Sequence, residues 1–207
     1  MTKVHTGTAY ILRTCAADMT SHVGTFTWPR EGRVEAPDWR ADDECGHGLH
    51  GFLWGEGDGD LASWGDDAVW VVAKIEQWID LRGKVKFPSA DVVFAGSRIA
   101  ATEFIIAQGA HGAVVGSTLT GGDGSTLTGG DGSTLTGGYG STLTGGDRST
   151  LTGGDRSTLT GGDRSTLVCR WWDGEENRYR LVCGECGGNL KANVKYRVVA
   201  GMFEEIA

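Results

Sequence analysis

The residues best suited to chemistry fall in two short clusters. Cys45, His47 and His50 form a C-x-H-x-x-H preceded by Asp42, Asp43 and Glu44, and Cys183 with Cys186 forms a C-x-x-C. The first holds the side-chain types from which a nucleophile and its base are made, and the thiols and imidazoles together would supply zinc donors if the two ends of the chain met. Closeness in sequence fixes no geometry, and one C-x-x-C without a second pair is a weak zinc signature. The extended repeat between the clusters argues that they stay apart. Their reading is therefore buried thiols and ordinary histidines, with no catalytic residue, metal or cofactor assigned; an activity of the segment around Cys45 stays as an alternative. Five cysteines leave one thiol free in any case, and in a chain expected to be cytosolic they argue against a disulfide framework.

A far more regular pattern fills Ala113 to Val168. One octad recurs seven times, and Ser-Thr-Leu-Thr is intact in the six units starting at Ser117, Ser125, Ser133, Ser141, Ser149 and Ser157. The spacers read Gly-Gly-Asp-Gly at first, Gly-Gly-Tyr-Gly around Tyr139, and Gly-Gly-Asp-Arg in the last three units. A fixed short period means that each unit is one piece of a stack. The strand period of two sends Ser and Leu to one face and both Thr to the other, and Leu, the only sizeable apolar residue, points inward. A single octad cannot enclose a core. Two octads can, so the pattern predicts a parallel β-solenoid, right- or left-handed, of about 16 residues per coil with a Thr-Leu-Thr strand on each broad face. The paired glycines are expected to form the Cβ-free corners. Two to three Gly per octad, each costing roughly 1 kcal/mol relative to Ala, argue against a helix. A disordered Gly/Ser/Thr linker would not keep Leu in phase. A calcium-binding nonapeptide roll has a different period and Asp position.

The Gly-Tyr-Gly-Ser-Thr-Leu-Thr stretch at 138 to 144, the sixteen-residue double octad and the late Asp-Arg-Ser spacers resemble the tandem repeats of bacterial ice-nucleation proteins. The resemblance covers roughly a quarter of the chain. It implies a β-solenoid whose Thr-x-Thr rows order water into an ice-like lattice, with arginine-bearing terminal coils that promote assembly into multimers. Three departures stand out: Gly replaces Ala before the spacer, Tyr139 alone stands where a ladder of tyrosines would run, and the array is far shorter.

The expected surface also follows from strand geometry. Two Thr on one strand project about 6.7 Å apart and neighbouring coils repeat at about 4.8 Å, a flat grid with spacings like those on ice. β-branched Thr is stiff at χ1, so water ordering on the grid costs little side-chain entropy. One face is predicted to carry Thr118, Thr120, Thr134, Thr136, Thr150, Thr152 and Thr166, and the other Thr126, Thr128, Thr142, Thr144, Thr158 and Thr160. These are the candidate ice- and water-binding residues. Candidates for self-association are Tyr139, Arg148, Arg156 and Arg164, with Arg148 and Arg164 on one edge and Arg156 on the opposite edge; the competing reading of each Arg is local pairing with its neighbouring Asp.

The flanks are of ordinary composition. Residues 1 to 112 hold six of the eight Trp and so have a core of their own. Strands are predicted at Thr8 to Leu12, Ala68 to Ala73, Lys84 to Phe87 and Asp91 to Phe94, with a helix over Arg98 to Gln108. This α+β capping domain (1–112) also resembles, through LRTCAADMTSH and WRADDECGHGLHG, an uncharacterised module that precedes Gly/Thr/Ala repeats in bacterial and phage proteins, a resemblance that implies no chemistry. After the solenoid (113–168), residues 169–207 are predicted to form a β cap of two hairpins, Val168 to Trp172 with Asn177 to Val182 and Lys195 to Ala200 with Met202 to Ile206. Such a cap covers the edge strands that would otherwise template aggregation. A net charge of −8 without a basic stripe argues against nucleic acid as a partner. No apolar leader or long apolar run is seen, which predicts a cytoplasmic protein without a membrane partner. The expected function is non-enzymatic: ice binding or weak ice nucleation, with ice or ordered water as partner and other copies of the chain as candidate partners. The alternative is a purely structural repeat scaffold. The near identity of the octads fits recent duplication and deliberate construction equally well.

Overall fold

The computed structural model describes residues 3–22 and 24–207. The chain is mainly β, with 47% of residues in strands and 6% in helix, and it divides into two compact units between Val114 and Val115. Among the described residues no helix is long and apolar enough to cross a membrane.

The first unit is an antiparallel sheet with one helix. Its strands are β1 (His5–Cys15), β2 (Gly32–Glu35), β3 (Leu49–Leu53), β4 (Val69–Asp80), β5 (Val85–Phe87) and β6 (Ser89–Gly96). They lie in the order β1-β3-β5-β4-β6-β2, and β1 also pairs with β4. The run Val69 to Ala73 is buried residue after residue, as a strand covered on both faces must be. One face joins a core with Ile11, Trp28 and Phe87, and helix α1 (Arg98–Ala107) packs on β4, β1 and β6. The Ser97 side chain caps α1 by accepting from the Ala100 N–H. The predicted strands and helix are present. Two strands, β2 and β3, were not predicted.

The second unit opens with the solenoid, about three turns of ~16 residues between residues 118 and 169. Strands β7 (Thr118–Thr120), β9 (Thr134–Thr136), β11 (Thr150–Gly153) and β13 (Thr166–Asp173) form one parallel sheet, and β8 (Thr126–Thr128), β10 (Thr142–Gly145) and β12 (Thr158–Gly161) the other. Leu135, Leu143, Leu151, Leu159 and Leu167 are fully buried between them. The inward Ser residues leave no orphaned hydroxyl row: Ser141 Oγ donates to the Gly138 carbonyl at 2.9 Å, and the N–H groups of Ser133, Ser141 and Ser149 donate to the Oγ one coil on.

The corners differ from expectation in one respect. The paired glycines are needed for close approach: a Cβ on Gly145 would lie 2.7 Å from the Ser149 Cβ, and one on Gly146 2.6 Å from the Asp131 backbone nitrogen. The left-handed residue is instead the eighth of the octad. It is Gly at 116, 124, 132 and 140 (φ 64° to 71°) and Arg at 148, 156 and 164 (φ 58° to 62°). Each Arg there carries a conformational cost of roughly 1–2 kcal/mol that Gly does not.

Both sheets end in hairpins. Strand β14 (Arg178–Glu185) pairs antiparallel with β13, while β15 (Lys195–Val199) pairs with β12 and with β16 (Met202–Glu205). Each hairpin lies on one solenoid sheet, and Cys169, Cys186, Tyr196 and Val198 close the end of the Leu core.

Candidate functional site

The Thr side chains stand where the strand period puts them. Thr118, Thr120, Thr126, Thr128, Thr136, Thr142, Thr144, Thr150 and Thr166 are exposed, while Thr134, Thr152, Thr158 and Thr160 are half-buried. Registers are strict. Thr134 faces Thr118 and Thr150, Thr136 faces Thr120 and Thr152, and on the other sheet Thr142 faces Thr126 and Thr158 while Thr144 faces Thr128 and Thr160. The rows end where the cap begins: Val168 replaces the Thr in register with Thr152, and Arg197 of β15 donates to the Thr158 hydroxyl at 3.4 Å.

A flat array depends on an unvarying coil, and the Asp side chains help to hold it. Asp123 Oδ1 accepts from the Tyr139 N–H at 2.8 Å, Asp131 from Asp147 at 2.9 Å and Asp147 from Asp163 at 2.7 Å, each one coil on. For the Asp beside Arg148, Arg156 and Arg164, the sequence offered lateral pairing with that arginine as one of two readings. A lateral pair of that kind joins Asp163 to Arg164 at 3.3 Å between exposed side chains. Recurrence of Asp at a sixteen-residue interval was the signal for the coil-to-coil ladder. Arg156 lies over the ring of exposed Tyr139, 5.6 Å from its centroid.

The chemistry-bearing residues outside the octads are engaged in separate contacts. Lys84 Nζ donates to the exposed Cys45 sulfur at 3.0 Å, His47 Nδ1 lies 3.4 Å from Asp38, and Asp42 is paired with the fully buried Lys86. Burial, reinforced by Lys84, Arg13 and Lys86, pulls the His50 imidazole down to about 4. Cys186 is buried and its thiol pushed up by that burial, whereas Cys183 is exposed. Among the described residues no group of three or more His, Cys, Asp or Glu is placed to hold a metal ion.

Comparison with known proteins agrees with the repeat. The chain is 43% identical over 117 residues to an ice nucleation protein of Pseudomonas syringae pv. syringae, covering 54% of this chain and 10% of that protein. It is 48% identical over 101 residues to one from Xanthomonas campestris pv. translucens, covering 47% and 6%, and 39% identical over 100 residues to ice nucleation protein InaU of Pantoea ananas, covering 46% and 10%. The chain thus spans a tenth or less of the length of these relatives. A match to half the chain is about twice as long as the octad array, so it takes in sequence beyond the octads. No protein-family profile matches, and no solved structure matches.

Proposed function

We propose that the solenoid presents two ice-binding faces, made of Thr118, Thr120, Thr134, Thr136, Thr150, Thr152 and Thr166 on one side and Thr126, Thr128, Thr142, Thr144, Thr158 and Thr160 on the other. The observation that carries this reading is the register: every Thr pairs with the Thr at the same octad position one coil away, on both sheets. The hydroxyls and methyls then form a fixed grid of about 4.8 by 6.7 Å, on which water is ordered without first ordering the protein. Likeness to proteins named for ice nucleation supports the same reading. The number of coils sets the strength. About three coils span roughly 15 Å, enough to adsorb to ice and small for a nucleus, so activity of one copy is weak.

Self-association would enlarge the array. Its candidates are Tyr139 and the edge arginines Arg148, Arg156 and Arg164, which occupy left-handed positions where the earlier octads use Gly. Retaining Arg at that cost is consistent with a use for its charge. The solenoid acts without a cofactor and as a surface, not as an enzyme, and the acidic chain is read as a cytoplasmic protein that binds neither nucleic acid nor membrane. The test is the shape of ice crystals and the freezing of droplets in purified protein. Faceted or pitted crystals and modestly raised freezing temperatures are expected, with freezing rising with protein concentration if copies assemble. Behaviour equal to that of an inert globular protein would leave the solenoid as a scaffold only.

A further inference from the structure

The first unit contains a cavity of about 410 Å³ that the solenoid reading does not use. Its wall brings together residues far apart in sequence, among them Arg13, Trp28, Cys45, His50 and Lys84. The Arg13 guanidinium is stacked 4.0 Å from the Trp28 ring and fixed by donation to the His50 carbonyl and the Ser21 hydroxyl, both at 3.2 Å. Its charge has no carboxylate within ion-pairing distance among the described residues, and neither has that of Lys84. The acid on this wall, Asp38, faces His47. Three buried nitrogens on the lining residues, Arg13 Nε, Trp28 Nε1 and His50 Nε2, have no hydrogen-bond partner. Orphans of this kind cost about 1–3 kcal/mol each, and these three are themselves closed off from solvent. The rest of the wall is mostly apolar, with buried Leu49 and Phe52 and half-buried Phe26, and takes polar groups from Thr14, Ser21, His22 and His47.

We propose that this cavity binds a small organic carboxylate with an apolar ring, its charge held by Arg13 and Lys84 and its ring lying along Phe26, Leu49 and Phe52. Cationic groups gathered around a mostly apolar hollow, in a chain of net charge −8, suit an anion with an organic body. A bare phosphate would leave the apolar wall uncovered. A cation would meet Arg13 and Lys84 with like charge. A metal ion lacks a grouped donor set among the described residues.

The full chain is titrated with benzoate, inorganic phosphate, benzylamine and zinc, each followed by calorimetry and by the Trp indole N–H resonances. Benzoate is expected to bind saturably with Kd of about 1 mM or tighter, phosphate more weakly, and benzylamine not at all. Bound benzoate should also slow alkylation of Cys45, which lines the cavity. Arg13→Gln should weaken benzoate at least tenfold. Should that variant not fold, the half-exposed Lys84→Met, which removes no core packing, should still weaken it severalfold. Absence of saturable benzoate binding, benzylamine binding as well as benzoate, zinc binding in place of benzoate, or undiminished benzoate affinity in Lys84→Met would each overturn the proposal.

Discussion

Within the solenoid an octad position has one job, and each coil repeats it: Ser and Leu fill the interior, Thr faces out, the first two glycines admit neighbouring backbone, and the eighth residue turns the chain. In the first unit the same residue types have individual duties. Gly51 sits where a Cβ would come 2.9 Å from the Ile11 side chain, whereas one on Gly32 would meet nothing. Arg13 stacks on Trp28 beneath a cavity, while Arg33 holds Asp91 at the surface. The difference teaches where each unit can be altered. The solenoid is expected to tolerate change on whole faces and to fail at single interior positions, a rule with no equivalent in the first unit.

The sharpest break of that rule is a charge inside the rod. Leu143→Asp buries a carboxylate among Leu residues that are fully enclosed, and a loss of at least about 4 kcal/mol is expected. Circular dichroism melts of the second unit should show it; an unchanged melting temperature would place Leu143 in solvent. Next in size is Gly146→Ala, whose Cβ would crowd Asp131 backbone across the coil; a loss of about 3 kcal/mol is expected. Gly124→Ala, with open space around it and φ 68°, should cost only about 1 kcal/mol. Equal costs at these two sites would deny that the glycines of one octad have different roles.

The first unit has its own test through pH. His50 titrates near 4 in the folded protein against an ordinary 6.5, so between those values the unfolded chain holds more protons and acid favours unfolding. Stability of the first unit, followed by near-UV dichroism of its six Trp, should be steady above about pH 6.5 and fall as pH drops toward 4. His50→Gln should flatten that slope. The smallest effect belongs to the edge: Arg156→Gly relieves a left-handed φ of 62° and loses the contact with Tyr139, for a net gain of about 1 kcal/mol or less. A clear destabilisation would mean that Arg156 supports the single coil more than its backbone strain costs.

How much of this was legible in the sequence follows from the same contrast. Periodicity exposes a residue's job when the job recurs, so the sixteen-residue coil, the inward Leu and Ser and the outward Thr could be read from the octads. The two closing hairpins were readable because turn residues interrupt alternating strands near Asp173 and Gly201. Strand β3 was hidden because Gly48 and Gly51 mimic a loop, and the structural reason for Gly51, proximity to Ile11, lies in another strand. The Asp ladder was missed because Asp-Arg neighbours suggest a pair along the chain, while the actual partner is a backbone N–H one coil away. The cavity of the first unit was out of reach, since Arg13, Trp28, Cys45 and Lys84 share no motif and meet only through the packing of β1, β3 and the loops around them.

The central claim is that the Thr grids, and not the rod that carries them, act on ice. Thr134, Thr136, Thr150 and Thr152 on one face and Thr126, Thr128, Thr142 and Thr144 on the other are changed to Lys, first one face and then both. Outward strand positions, six of these eight exposed and Thr134 and Thr152 half-buried, accept Lys with little loss of fold, which dichroism verifies before droplets are frozen and ice crystals grown. Ice shaping and nucleation should fall in the one-face variant and vanish in the two-face variant while the solenoid stays folded. A folded two-face variant with the full activity of the parent would contradict the account.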